Sequence, residues 1–215
     1  YCSITGFGQT GPYAERLGYD FIIQALSGIM DLTGEPNNEP QKMGVAFADI
    51  FTGLYGVIAI QSALRMREQN NKGQHIDLSL MDSMVAVLAN QASNYFVSGS
   101  PPKRMGNKHP NIVPYQVFPT KDGYLIIAVG NNDQFERLCK ALELNDLYIS
   151  SKYSNNQKRV QNREELVGIL SSQTKKYLKN DLKNLLELSK VPVGTVNNLK
   201  EVFSDPHVIA RNLKI

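Results

Sequence analysis

Apolar residues recur at helical spacing over residues 21–32, where Phe21, Ile22, Ala25, Leu26 and Ile29 fall on one face. The same spacing returns from near Asp49 to about Glu68, with Leu54, Val57, Ile58, Ile60 and Leu64 apolar and Gln61, Arg65, Arg67 and Glu68 polar. Thr33-Gly34-Glu35-Pro36 ends the first predicted helix and Asn70-Asn71-Lys72-Gly73 the second. His75-Ile76-Asp77-Leu78-Ser79-Leu80 alternates with period two, which predicts a strand, and residues 81–97 read as a further helix. Tyr1-Cys2-Ser3-Ile4 reads as the tail of a buried strand, and the glycine-rich run from Gly6 to Gly18 as a loop. Strands alternating with helices predict an α/β layer.

Beyond residue 97 the pattern changes. Ser98-Gly99-Ser100-Pro101-Pro102-Lys103-Arg104 has the composition of a domain boundary. Residues 115–118 and 124–129, joined through Thr120-Lys121-Asp122-Gly123, predict a β-hairpin with an Asp-Gly turn. Helices are expected over 133–142, 163–177 and 179–188, an extended segment over 191–196 and a short helix over 199–203. The whole is therefore α/β followed by a smaller α+β part.

Composition adds little to this. The 215 residues are 42% apolar, enough for a substantial core, and 23 basic against 20 acidic residues give a net charge of +3, too slight to require nucleic acid or membrane. Two cysteines with no ligand spacing predict neither a disulfide framework nor a metal site. No uninterrupted apolar run is as long as a membrane span, because Gln61 and Asn90 break the longest candidates. The start at Tyr1 and the stop at Asn212-Leu213-Lys214-Ile215, both in apolar stretches, predict a piece of a longer polypeptide.

Asp49 is the most suggestive acid, set between Gly44-Val45-Ala46-Phe47-Ala48 and Ile50-Phe51-Thr52-Gly53 at a helix start. One reading is an N-cap that bonds first-turn amides. The other is a covalent nucleophile facing an acyl group, and the two are compatible. Gly6-Phe7-Gly8-Gln9-Thr10-Gly11-Pro12 is either a tight structural loop or a cradle of amides for an anion, and it matches no established phosphate fingerprint. His75 and His207 read as structural or solvated, His109 as mainly structural, and Tyr95-Phe96 as core.

Several motifs in order carry a resemblance to a known family: Ser3-Ile4-Thr5-Gly6-Phe7-Gly8-Gln9-Thr10-Gly11-Pro12, Gly18-Tyr19-Asp20, Leu32-Thr33-Gly34, Ala48-Asp49-Ile50-Phe51-Thr52-Gly53-Leu54, Gly73-Gln74-His75-Ile76-Asp77, Arg104-Met105-Gly106-Asn107-Lys108-His109-Pro110, Val113-Pro114-Tyr115-Gln116 and Phe203-Ser204-Asp205-Pro206-His207. Together they resemble the class III CoA-transferases, the family of formyl-CoA transferase and carnitine CoA-transferase. The resemblance implies a partial Rossmann-like large CoA-binding domain over 1–97 that holds the catalytic Asp49. A linker and covering loop over 98–111, a small α+β domain over 112–198 and the start of a return to the large domain over 199–215 would follow.

The resemblance also implies that Asp49 passes through an aspartyl-CoA thioester while CoA moves from an acyl-CoA to a carboxylic acid. Coenzyme A is then a substrate, with no permanently bound cofactor and no metal. Leu17, Gly18, Tyr19 and Asp20 match the CoA-contacting loop; where some members carry Lys this chain has Leu17, with Arg16 one position earlier. Gly106, Asn107, Lys108 and His109 match a loop that covers the acyl group. The look of the chain is nearer the succinyl-CoA:glutarate type, which implies dicarboxylic substrates with Arg104 or Lys108 as the cation for the second carboxylate. An interlocked homodimer of the longer parent and a cytoplasmic location, or the mitochondrial matrix in a eukaryote, are further expectations. Two alternatives remain: a relative of the α-methylacyl-CoA racemases, which carry His where this chain has Tyr19, and an inactive fragment that serves only folding or dimerisation.

Overall fold

The computed structural model describes residues 1–214; Ile215, the last position of the 199–215 segment, lies outside the described residues. It divides into two compact units, Tyr1–Gly106 and the residues from Asn107 onward.

In the first unit β1 (Cys2–Thr5) pairs in parallel with β2 (Ile76–Ser79), with Cys2 opposite Ile76 and Thr5 opposite Ser79. A parallel pair needs a crossover, and here it contains α1 (Asp20–Leu26), α2 (Ile29–Leu32) and the long α3 (Phe47–Asn70). Helix α3 lies close against the strands because Gly56 has no side chain: a Cβ there would stand 3.2 Å from Leu78 Cδ2 and 3.9 Å from Ile4 Cδ1. Two shorter helices, α4 (Leu80–Ala86) and α5 (Ala89–Ser98), complete the unit, and the Ser79 hydroxyl caps α4 by accepting from the Asp82 amide at 2.9 Å. Ile23, Ala48, Leu80 and Met84 form a small buried core.

The α/β character agrees with the sequence pattern, and five details differ from it. The helix expected over 21–32 is two helices, since Gly28 takes a left-handed φ of 88° between them. The helix expected over 81–97 is likewise broken, with Ala89 at φ 47°. Strand β1 is not buried within the described residues, as Ile4 is 54% exposed, and the Tyr95-Phe96 pair lies on the surface rather than in the core. Helix α3 is long and apolar enough to cross a membrane by length and composition alone, which a search for uninterrupted apolar runs passes over because Gln61 interrupts them.

The second unit is built on an antiparallel sheet of β3 (Tyr115–Thr120), β4 (Gly123–Ala128) and β5 (Val193–Thr195), in that order. The hairpin turn is Lys121-Asp122, with Thr120 opposite Gly123, and Asp122 Oδ1 also accepts from the Lys179 amide at 2.6 Å. Around the sheet lie α6 (Asn132–Ala141), α7 (Asn145–Ile149), α8 (Asn156–Gln161), α9 (Arg163–Thr174) and α10 (Lys179–Leu188), followed by α11 (Leu199–Ser204) and α12 (Pro206–Ala210). Phe118, Leu125 and Ile127 from the strands meet Leu138, Leu166, Leu170, Leu182 and Leu186 from the helices in one buried cluster.

Phe118 is fully buried at the centre of that cluster. Phe118→Ala is expected to lower the unfolding free energy of this unit by about 3–5 kcal/mol. Urea unfolding followed by circular dichroism measures this, and a loss below about 1 kcal/mol would contradict the assigned core.

Candidate active site

The glycine run at the start of the chain is held down by its own surroundings. Gly6 and Gly18 touch backbone to backbone, so a Cβ on Gly6 would lie 2.8 Å from Gly18 Cα, and this contact closes the intervening loop. Inside the loop Thr5 Oγ1 accepts the Gly8 amide at 2.8 Å, and both Asp77 carboxylate oxygens accept the Gln9 amide at 3.1 and 3.0 Å. Two of the amides that an anion could use are therefore taken, and a carboxylate stands beside them. These bonds favour the tight-loop reading over the anion cradle.

Closing the loop at Gly18 delivers Tyr19, in extended conformation, and then Asp20 to the start of α1. Asp20 does not point its hydrogen bonding outward. Its Oδ2 accepts the amides of Ala48 at 2.7 Å and Asp49 at 3.3 Å, and its Oδ1 accepts from Gln24 Nε2 at 2.6 Å. Gln24 is fully buried, and its Oε1 accepts the Met43 amide at 2.9 Å. A chain of hydrogen bonds thus runs from the segment before α3, through α1, to the first turn of α3.

Asp49 sits in that first turn as the third helical residue, after Phe47 and Ala48. This corrects its expected place as the N-cap, a position held by Ala46, which offers no side-chain acceptor. Capping is done instead by Asp20, 28 residues earlier in the chain. The Asp49 side chain is exposed, and among the described residues its carboxylate has no hydrogen bond and no ion pair. A carboxylate at this end of a helix is favoured electrostatically by the aligned peptide dipoles.

The residues just before Asp20 include exposed apolar groups and a cation. Leu17 is 85% exposed and Tyr19 75% exposed, while the Arg16 guanidinium stacks 3.7 Å above the Tyr13 ring. Elsewhere in the first unit Arg104 donates to Asp31 Oδ1 at 3.0 Å and to the carbonyls of Asp31 and Asn38, each at 3.2 Å, leaving its buried Nε unpaired. Gly106 is left-handed at φ 60°, donates to the Gly34 carbonyl at 3.0 Å, and a Cβ there would meet the Glu35 carboxylate at 2.8 Å. Arg104 therefore has a carboxylate partner within the chain, which the sequence reading did not provide for.

The remaining loop candidates belong to the second unit. Asn107 is exposed, and Lys108 pairs with Glu164 at 3.1 Å. His109 Nδ1 accepts the Asn111 amide at 3.1 Å, and its ring lies 5.1 Å from that of Tyr115. Arg163, which sequence reasoning missed, donates to the carbonyls of His109 at 2.8 Å and Pro110 at 2.9 Å. Outside these groups, His75 Nε2 meets Ser3 Oγ at 3.0 Å, a structural bond, and burial pushes the Cys139 thiol up to about 12, which makes it inert as a nucleophile.

Comparison with known proteins now bears on this arrangement. A family model described as CoA-transferase family III matches residues 1–215. The chain is 53% identical over 215 residues to a succinate–glutarate CoA-transferase of Agrobacterium fabrum, covering all of this chain and 54% of that protein. It is 46% identical over 213 residues to the succinyl-CoA:glutarate CoA-transferase of Homo sapiens, covering 99% of this chain and 49% of that one. Among solved structures, a CAIB/BAIF family protein from Brucella suis superimposes with a TM-score of 0.84 at 58% identity over 100% of this chain and 57% of its own. Rv3272 from M. tuberculosis shares the fold at 22% identity, with a TM-score of 0.86 over 99% of this chain and 56% of its own. The chain spans about half the length of the curated relatives it matches.

Burial and the neighbouring Arg163 guanidinium hold His109 below the ordinary imidazole value of 6.5, and its bond from Asn111 requires an unprotonated Nδ1. With the folded pKa depressed, this contribution to stability is fully present above the unfolded value and is lost as pH falls through the folded one. Hydrogen exchange is expected to show the Asn111 amide losing protection as pH falls below the ordinary imidazole value of about 6.5, a loss that His109→Asn, which keeps an acceptor but does not titrate, should abolish. Identical pH dependence in the two proteins would contradict the assignment.

Proposed function

We propose that this chain, which belongs to CoA-transferase family III, carries the nucleophile of a reaction that moves coenzyme A from an acyl-CoA to a carboxylic acid, and that the nucleophile is Asp49. The observation that supports this most is the state of that carboxylate: exposed, unbonded by the protein, and fixed at its backbone by Asp20. A covalent nucleophile needs that combination of access and fixed position.

An Asp49 oxygen attacks the thioester carbonyl, the carbon–sulfur bond breaks, and CoA leaves as the thiolate, giving a mixed anhydride. The thiolate then attacks Cγ of Asp49, the anhydride bond from Cγ to the bridging oxygen breaks, and the donor acid departs with one oxygen from Asp49. The resulting aspartyl-CoA thioester is attacked at Cγ by the acceptor carboxylate, releasing the thiolate again. This leaves a second mixed anhydride, and attack of the thiolate on its acceptor carbonyl breaks the bond from that carbon to the bridging oxygen, forming the new acyl-CoA and returning Asp49 as a carboxylate that keeps one acceptor oxygen. Each step conserves one activated acyl bond, so water must be kept out while either intermediate exists.

The exposed Leu17 and Tyr19, with the half-buried Gly18 between them, form the surface we assign to CoA, with Arg16 next in sequence as the cation for its phosphates. The names of the relatives point to succinyl and glutaryl groups, so dicarboxylates are the substrate class we assign. Arg104 and Lys108 remain the cations proposed for a second carboxylate, and each has a carboxylate partner within its own unit, Asp31 and Glu164. Gly106, Asn107 and His109 retain their proposed place in the covering loop, and a homodimer is proposed for the whole protein. The racemase alternative has no observation in its favour, since Tyr19 stands where a proton-shuttling His would be needed.

Incubating the full-length protein with succinyl-CoA and then hydroxylamine should place the trapped modification on the peptide containing Asp49. Asp49→Ala should lower kcat by at least about a thousandfold, the scale expected on removing a nucleophile. Near-normal CoA exchange by Asp49→Asn or Asp49→Ala would overturn the assignment.

A further inference from the structure

Helix α3 begins without a cap of its own, because Ala46 occupies the cap position. Aspartate in the first turn of a helix has nearby backbone amides within reach and readily bonds to them. At this helix those amides are occupied: Ala48 and Asp49 both donate to Asp20 Oδ2, at 2.7 and 3.3 Å. Asp49 is left with no hydrogen bond to its carboxylate among the described residues.

We infer that Asp20 is a positioning residue for Asp49: by occupying the first-turn amides of α3 it prevents the Asp49 carboxylate from folding back on them and so keeps that carboxylate free to attack. The inference rests on the reading of Asp49 as nucleophile. It concerns a residue that motif resemblance alone places among CoA contacts, and it gives that residue a different task.

Gln24 fixes Asp20 in this task. Its carboxamide is fully buried and has one satisfactory orientation, since Oε1 accepts the Met43 amide at 2.9 Å and Nε2 must then face Asp20 Oδ1 at 2.6 Å. Asp20 and Gln24 are four residues apart on α1, so the helix itself sets their spacing. Both oxygens of Asp20 are thereby committed, one to the buried amide and one to the start of α3. A carboxylate that accepts amide hydrogen bonds is stabilised in its charged form and is correspondingly a weaker nucleophile. Occupation of the amides by Asp20 spares Asp49 that loss.

The test uses the full-length protein, with succinyl-CoA and glutarate as probes. Asp20→Ala frees the two amides, and kcat is expected to fall at least about tenfold while KM for succinyl-CoA stays within about twofold. Asp20→Asn retains an oxygen for α3 and should recover part of kcat. A lowered melting temperature with kcat per folded molecule unchanged would reduce Asp20 to a structural role and overturn the inference. Should Asp20→Ala not fold, Gln24→Met, which removes the buried support of Asp20, is expected to lower kcat severalfold at constant KM; unchanged kcat in that variant counts against the inference. Hydroxylamine trapping on the wild-type protein separates the two readings: no label at Asp49 defeats the nucleophile assignment itself, whereas a normal label with indifferent Asp20 and Gln24 variants defeats only this inference.

Discussion

The hydrogen bonds from the Ala48 and Asp49 amides to the Asp20 carboxylate are the interaction on which the first unit turns. A helix whose entry residues are Val45, Ala46 and Phe47 has no local side chain to accept from its first-turn amides, and an unpaired amide on a buried residue is costly. Ala48 is fully buried, so water cannot readily substitute. Supplying the acceptor from α1 ties the two helices together at one point. It also sets the position of the third residue of α3, whose side chain is the one we assign to chemistry.

That arrangement depends in turn on two glycines. Because Gly6 and Gly18 meet at backbone distance, the loop between them closes and Asp20 arrives beside the start of α3. Within the loop, Thr5 and Asp77 occupy the amides of Gly8 and Gln9, and farther along the chain Arg104 and Lys108 each hold a carboxylate. Against this background of satisfied groups the free Asp49 carboxylate stands out. A carboxylate left unbonded on a fixed backbone is what the proposed role as nucleophile requires.

Much of the architecture was legible from local pattern. The β3–β4 hairpin follows from alternation on either side of Lys121-Asp122-Gly123, and α3, α6, α9 and α10 from apolar spacing and polar starts such as Asn131, whose side chain accepts from the Gln134 amide. The breaks at Gly28 and Ala89 were not legible, because a left-handed residue inside an apolar periodic run leaves the period intact on both sides. Helices α7, α8 and α12 are five or six residues long, too short for periodicity to register. Asp49 was visible because motif and helix start coincide there. The Asp20 cap was not, since its partners lie 28 and 29 residues away, although the four-residue spacing of Asp20 and Gln24 and the lack of a polar residue at Ala46 are the signals that it leaves. Arg163 bonds to carbonyls 54 and 53 residues distant and leaves no local trace.

The central claim is that one Asp49 oxygen passes into the departing acid and is replaced from the incoming one. Supplying the full-length protein with succinyl-CoA and glutarate labelled in its carboxylates with oxygen-18, followed by mass spectrometry of the Asp49 peptide and of the released succinate, follows that oxygen directly. The account predicts label first in the Asp49 side chain and, over further turnovers, in succinate. Sustained CoA exchange with no oxygen-18 in the Asp49 peptide would contradict it.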